Sequence, residues 1–436
     1  MKVMKVTALT ISVLCSILMI LSILFFPKVK IGKVNLDTYW IITLISALLL
    51  IVLKQIDLNN ILSIFFSDDS INPIKIIVLF LSMTLLSIYL DQIGMFKYLA
   101  NLATKKFNKN QFGLFVALYF LISILTVITS NDVIILTFTP FICYFCKHAG
   151  INPLPYLIGE FFAANTLSMS LIIGNPTNIY IASIMNITFM EYFKNMFIIG
   201  FILCIALFGI LLLIFKKQLS KPLVVTDEEV VIESKTLLII GVVHLALATI
   251  LMAISNYINL EMYLISFGFA LSLTIITLVY SKVKNYKNNI LKNTYKGLPY
   301  PFIPFLLSMV IIISSLKYSG VLTIIANKLA DVDSLFLYEM SSFVIGNLVN
   351  NIPMSIIYSE ILNINSGVIT FKEIYAVIIS SNICALFTPL GSLAGMMFLG
   401  LLKNQNVNFK FKNFLKYSYI SIIMLFLSFF LISITM

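Results

Sequence analysis

Residues 6–26 read VTALTISVLCSILMILSILFF, an uncharged run of 21 positions, and comparable runs recur along the whole chain. About 18–22 apolar residues suffice to carry a helix across roughly 30 Å of hydrocarbon. Within lipid each backbone polar group must be satisfied by the chain itself, so runs of this kind are read as helices. With 60% of 436 residues hydrophobic and only 11% charged, a water-soluble fold would lack the polar surface to cover its exterior. The expected class is an all-α polytopic membrane protein. The first run is too long for a secretion signal and no small-residue cleavage pattern follows Phe26-Pro27, so it is read as a span.

A net charge of +11 would point to nucleic acid in a soluble protein. Here every basic residue is a lysine, most of them between spans, and the charge is read as setting orientation in the membrane, with no nucleic-acid partner. The five cysteines show no disulfide framework, and Cys143-x-x-Cys146 lies in an apolar helix where free thiols act as small hydrophobes. His148 and His244 are too few and too distant in sequence to argue a metal site.

Four polar breaks interrupt the apolar runs. They are Thr129-Ser130-Asn131-Asp132, the stretch Gly174-Asn175-Pro176-Thr177-Asn178, the stretch Gly346-Asn347-Leu348-Val349-Asn350-Asn351-Ile352-Pro353, and Thr388-Pro389-Leu390-Gly391-Ser392. Asn165 precedes Gly174 by about nine positions, and Asn382 precedes Gly391 by the same interval. The two sets are offset by about 217–219 residues, half the chain. Interrupted hydrophobic segments at matching places in two halves are the pattern of a transporter built from repeats.

The lysines indicate that the halves face opposite ways. Lys28, Lys30 and Lys33 mark the first loop as cytoplasmic; Asp57, Asp68 and Asp69 lie in the next, and Lys97, Lys105, Lys106 and Lys109 return the chain inside. A re-entrant hairpin over 112–147 then keeps Lys147 inside, and a broken helix over 154–184 crosses outward. The chain returns to Lys216, Lys217 and Lys221. After 236, Lys282, Lys284, Lys287, Lys292 and Lys296 lie inside, a second hairpin over 335–363 opens from outside, and the broken helix 373–402 ends inside at Lys403, followed by Lys410, Lys412 and Lys416. By this count about 21 of the 29 lysines are cytoplasmic. The expected architecture is about ten transmembrane helices plus two re-entrant helical hairpins in two inverted repeats. An N-terminal segment spans 1–35, the first repeat 36–215 and the second 236–436. The acidic stretch 216–235, with Asp227-Glu228-Glu229 and Glu233, is a cytoplasmic linker. Both termini are outside.

Irregular backbone at membrane depth survives only where protein or water satisfies it. A proline in a helix interior costs roughly 3 kcal/mol. Pro176, Pro353 and Pro389 at related depths therefore indicate a shared midplane site where half-helix ends converge, with N-terminal N–H groups, freed carbonyls and Asn, Thr and Ser oxygens as ligands. The candidate substrate- or ion-binding residues are Ser130, Asn131, Asp132, Gly174, Asn175, Thr177, Asn178, Asn350, Asn351, Thr388, Gly391 and Ser392. A carboxylate at bilayer depth is costly and functional by default, which makes Asp132 the first coupling candidate, with a helix cap as its structural alternative. Glu160, within the apolar run 154–173, is the second; Asp91 and Glu360 are placed near interfaces. No lysine falls within 112–146, 151–193, 335–370 or 373–402, and the chain has no arginine, so neutral or cationic cargo is easier to hold than a multivalent anion. Asn131, Asp132, Asn175 and Asn351 are the candidate ligands for a sodium ion.

These residues resemble the ion-transporter superfamily that contains arsenite permeases, Na+/H+ antiporters of the NhaD type, and citrate or dicarboxylate carriers. Asn131-Asp132 followed by Leu136 and Thr139-Pro140 is similar to the arsenite-permease pattern, as are the Gly174–Asn178 stretch, Asn350-Asn351-Ile352-Pro353 and Thr388–Ser392. The resemblance covers about residues 70–434. The carboxylate carriers show Ser-Asn-Thr at the hairpin tips, where this chain has Ser130-Asn131-Asp132 and Asn350-Asn351-Ile352, which argues against di- and tricarboxylates. The resemblance implies a scaffold domain, a mobile transport domain carrying both hairpins, a homodimer, and an arsenic-stimulated ATPase as a further partner. This chain itself has no P-loop. The expected function is efflux of arsenite or antimonite driven by proton entry. Alternatives are a Na+/H+ antiporter and a Na+- or H+-coupled citrate- or dicarboxylate-type symporter, with H+ or Na+ the coupling ion and no cofactor. An ion channel and an intramembrane enzyme fit less well: no H-E-x-x-H motif or His-paired nucleophile is present. The expected location is the cell membrane.

Overall fold

The structure is a computed structural model that describes all residues except 1, 32–33, 67–71, 107–109, 224–231, 233, 256, 286–288, 331–334, 406 and 408–410. Lys33, Asp68, Asp69, Lys109, Lys287 and Lys410, and the acidic Asp227-Glu228-Glu229 and Glu233, therefore lie outside the described residues.

Helix α1 (Lys2–Phe25) leads into a two-stranded antiparallel hairpin, β1 (Lys28–Ile31) and β2 (Val34–Asp37), in a loop where no strand was expected. Then follow α2 (Thr38–Val52), α3 (Leu58–Phe66), α4 (Pro73–Gln92) and α5 (Met95–Lys106). The first paired helices are α6 (Gln111–Ile128) and α7 (Asn131–His148). After them come α8 (Leu154–Leu167), α9 (Pro176–Ile184) and α10 (Phe189–Leu219). The second half begins with α11 (Lys235–Ala253), α12 (Met262–Val283), α13 (Ile290–Gly297), α14 (Phe302–Tyr318) and α15 (Val321–Ala330). It continues with the pair α16 (Leu335–Val349) and α17 (Asn351–Ile364), and with α18 (Phe371–Phe387) and α19 (Leu393–Asn404). The last helices are α20 (Phe411–Leu415) and α21 (Tyr419–Thr435).

Local signals place the ends. Asn72 caps α4, accepting from the Ile74 N–H, with Pro73 in the first turn where its missing donor is harmless. Thr370 and Glu373 form a reciprocal capping box at α18. Helix α10 runs 31 residues, about 46 Å at 1.5 Å per residue, so it passes beyond the hydrocarbon before ending at Lys216 and Lys217.

Among the described residues seven helices are long and apolar enough to cross a membrane, and several shorter apolar helices accompany them. The outward faces of α10, α11 and α12 expose large apolar side chains, with Leu213 78% and Ile239 63% exposed. In water this would be an aggregation surface; against lipid tails it needs no cover. The protein is an integral, polytopic, predominantly helical membrane protein.

The helices gather into two bundles. Helix α4 packs chiefly on α11, α12 and α13, and α2 chiefly on α1 and α14. The other bundle joins α6 to α8, α7 to α19, α16 to α17 and α18, and α18 to α21, with α10 against α8. All four breaks fall in this second bundle. Amphipathic α5 and α15 each lead from a helix of the first bundle, α4 or α14, into a helix pair of the second.

Candidate functional site

Each polar break ends one helix and starts another. Helices α6 and α7 are joined by Thr129 and Ser130, and α16 and α17 by Asn350 alone, which adopts a left-handed φ of 80°. Residues 168–174 form short 3-10 turns between α8 and α9, and Pro389–Gly391 form one between α18 and α19.

The helices that restart after the four breaks are capped by four of the residues singled out in sequence. Ser130 accepts from the Val133 N–H at 3.4 Å, Asn175 from Thr177 at 3.2 Å, Asn350 from Ile352 at 3.3 Å, and Ser392 from Gly395 at 3.0 Å. Each cap satisfies one of the orphan donors of its first turn. Ser130, not Asp132, is therefore the cap of α7.

The ends of α7, α9 and α17 meet in one buried hydrogen-bond network, and the turn before α19 is tied to Asn347 and Asn350 beside it. Asn131 Nδ2 donates to Asn165 Oδ1 at 3.1 Å. The Ser168 hydroxyl approaches both the Asn165 carbonyl at 2.9 Å and Asn382 Oδ1 at 3.0 Å. Asn382 then ties the halves together: its Oδ1 also accepts from Asn175 at 2.9 Å, and its Nδ2 donates to Asn178 Oδ1 at 2.8 Å. Thr177 and Ser381 share a hydroxyl contact of 2.9 Å, and Asn351 Nδ2 donates to the Ser381 carbonyl at 3.1 Å. In the second half Asn350 Nδ2 donates to the Leu390 carbonyl at 2.9 Å, and Thr388 donates to Asn347 Oδ1 at 2.9 Å.

This network changes one expectation. The carbonyls freed by the second break do not all face cargo, because Asn178 Nδ2 donates to Ser168 O at 2.9 Å and to Leu171 O at 3.1 Å. Much of the Asn content completes the backbone that the breaks leave open. Gly174 and Gly391 serve the same need: a Cβ on Gly174 would meet Ser168 O at 2.1 Å, and one on Gly391 would meet Cys384 O at 2.7 Å. The unwound chain folds back onto the end of the preceding helix too closely for any side chain.

Asn351 and Asp132 keep unused capacity. Asn351 Oδ1 is buried without a hydrogen-bond partner, an acceptor beside the α17 N-terminus. Asp132, 6% exposed, has no hydrogen bond to its carboxylate among the described residues.

Glu160 is fully enclosed. Thr139 donates to its Oε1 at 2.8 Å and Oε2 has no partner, so it faces α7 and takes no part in the Asn382 network. Glu360 is 10% exposed and pairs with Lys317. Several residues of the network were absent from the candidates: Asn165, Ser168, Ser381 and Asn382. The signal for Asn165 and Asn382 was already their equal distance from Gly174 and Gly391. Glu339 on α16 was also absent; it is buried, accepts from Ser428, and has an orphan Oε2. An acidic residue inside the apolar run 335–349 was its signal. The described residues contain no cluster of three His, Cys, Asp or Glu fit to hold a metal ion.

The family model described as Citrate transporter matches residues 4–368. The chain is 24% identical to the arsenical pump membrane protein of Yersinia enterocolitica over 342 residues, covering 75% of this chain and 78% of that one. It is equally 24% identical to the arsenical pump membrane protein of Escherichia coli K12 over 344 residues, with 75% and 78% covered. An uncharacterized transporter of Mycobacterium tuberculosis is 27% identical over 164 residues, and the chain spans 38% of that relative's length. Helices that stop at matched breaks, capped ends joined through Asn382 and a family match over most of the sequence lead to one conclusion: this chain belongs to the citrate transporter family, a family of membrane transporters and not of enzymes.

Proposed function

We propose that the protein is a secondary transporter that exports arsenite or antimonite as the neutral hydroxide, driven by proton entry at Asp132. One observation carries the choice of cargo: the network joining the two halves is built from Asn, Ser and Thr, with no lysine in its helices near the breaks and no arginine in the chain. Neutral amides and hydroxyls suit a small polyhydroxylated solute, whereas a citrate-like anion calls for cations or guanidinium forks. The two relatives named as arsenical pumps, which share 75% of the chain, support this reading.

The mechanism is alternating access. The bundle carrying the breaks moves against the bundle of α1, α2, α4 and α11–α14, with α5 and α15 as connectors. The two halves are inverted repeats, as the lysine distribution argues, in about ten spans and two re-entrant hairpins. Binding of a proton to Asp132 on one side and its release on the other ties ion entry to cargo exit. A homodimer in the cell membrane completes the proposal; an ATPase partner is not required by it.

The Na+/H+ antiporter reading has its own support: the unpartnered Asn351 Oδ1 is a hard oxygen of the type sodium prefers. The test is transport of arsenite by purified protein in liposomes, with imposed proton or sodium gradients. Arsenite movement that follows the proton gradient and becomes independent of it in Asp132→Asn is the expected result. Sodium-dependent pH changes without arsenite movement would transfer the assignment to the antiporter.

A further inference from the structure

Two ion pairs occur among the described residues, and they differ in what they join. Lys75 and Glu261 lie 2.9 Å apart at the starts of α4 and α12, both in the bundle without breaks. Lys317 and Glu360 lie 2.7 Å apart on α14 and α17, and so cross from one bundle to the other. Glu360 stands on the helix that Asn350 caps, so the pair fastens a helix of the site to the opposite bundle.

The crossing pair lines a cavity of about 190 Å³ between α3, α9, α14 and α17, whose walls include Ser63, Tyr180, Ser314 and Ile356. Tyr180 is four residues beyond Pro176 and Ile356 is five beyond Asn351, roughly one helical turn from the break at each wall. Lys317 and Glu360 sit farther from the breaks, toward the ends of α14 and α17. The cavity walls therefore come within about one helical turn of the breaks that start α9 and α17. The carboxylate is 10% exposed and the lysine 40% exposed, so the acid is largely withdrawn from water while its partner is reachable.

We infer that Lys317 and Glu360 are a gate: an ion pair made in this arrangement of the bundles and broken in the alternate one, which sets the balance between them at the mouth of the access path. The inference rests on the alternating-access reading. A largely desolvated carboxylate that loses its cation must find water, which favours an arrangement in which the cleft is reshaped. The pair within one bundle carries no such consequence, because its partners move together.

The test uses Ser314→Cys, in the cavity wall and 4% exposed in this arrangement, as a reporter whose maleimide labelling in purified protein reads reshaping of the cleft; protein without the reporter gives the background from the native cysteines. Lys317→Gln and Glu360→Gln are expected to change the labelling rate at least about threefold, in the same direction. Glu261→Gln leaves it unchanged, and the exchange Lys317→Glu with Glu360→Lys restores it. If Glu360→Gln does not fold, Glu360→Asp, which keeps the charge but withdraws it by one methylene, shifts the rate in that same direction. Unaltered labelling in the Lys317 and Glu360 variants, or an equal change in Glu261→Gln, would overturn the gate. Labelling needs no cargo, so failure of arsenite transport and failure of the gate are read separately.

Discussion

The close return of the chain at the second break sets a graded test with alanine. A Cβ on Gly174 would lie 2.1 Å from the Ser168 carbonyl oxygen, so reaching even a 3.0 Å contact requires the backbone to part by the difference, 0.9 Å. That oxygen also accepts from Asn178 Nδ2 at 2.9 Å, and the same displacement strains this bond. Overpacking of this kind costs about 1–3 kcal/mol, and a weakened buried hydrogen bond adds about 1 kcal/mol, which gives roughly 2–4 kcal/mol for Gly174→Ala. At Gly391 the Cβ would lie 2.7 Å from Cys384 O, so a shift of 0.3 Å suffices. The expected cost there is about 1–2 kcal/mol. Gly209, on α10, has nothing within 4 Å, and alanine there is neutral or stabilising by up to about 1 kcal/mol through helix propensity. The measurement is the temperature at which each purified variant loses its monodisperse peak in detergent, followed by transport. The order Gly174→Ala, then Gly391→Ala, then Gly209→Ala, from least to most stable, is the prediction. If Gly174→Ala were as stable as Gly209→Ala and equally active, the tight fold-back at the second break would be refuted.

Asn382→Leu keeps the approximate volume but strands Ser168, Asn175 and Asn178, so a loss of about 2–4 kcal/mol is expected, measured by thermal stability and a double-mutant cycle with Asn178→Ala; additive effects of the two changes would show that they do not interact. Ser392→Ala removes the α19 cap and should lower stability by about 1 kcal/mol, with threonine at the same position restoring most of it. Glu160→Gln keeps an acceptor for Thr139 and is expected to leave proton-dependent transport intact, whereas Asp132→Asn uncouples it; a reversal of that pair would move the coupling role to Glu160.

Much of the site was readable because a break in a membrane helix is conspicuous. Lipid leaves no solvent to repair an interrupted helix, so Pro, Gly and Asn together inside an apolar run report directly on local structure, and Ser130, Asn175, Asn350 and Ser392 do start their helices. The partners of the breaks were less readable. Asn382 matches Asn165 in its distance to the following glycine, but its partners, like those of Ser381 beside it in α18, depend on what packs opposite. Glu339 is hard to single out because the acid is a single letter in a run whose neighbours Tyr338 and Met340 look like ordinary span. The hairpin of β1 and β2 is hard to read as well, since a four-residue strand with alternate lysines, Lys28 and Lys30, followed by one that ends at Asp37 resembles a solvated loop.

By itself, the sequence determined that this chain lies in a membrane as helices, where those helices stop, and that the stops come in two matched sets. Those properties follow from local chemistry: side-chain transfer energies, a missing proline donor, a missing glycine Cβ. The tertiary structure alone decided which amide meets which, that Asn178 consumes carbonyls that seemed free for cargo, that Asn382 bridges the halves, and that Lys317 reaches across to Glu360. Hydrogen bonds and ion pairs between residues some 40 to 210 positions apart are fixed by how helices pack, and packing is a property of surfaces brought together rather than of any one segment.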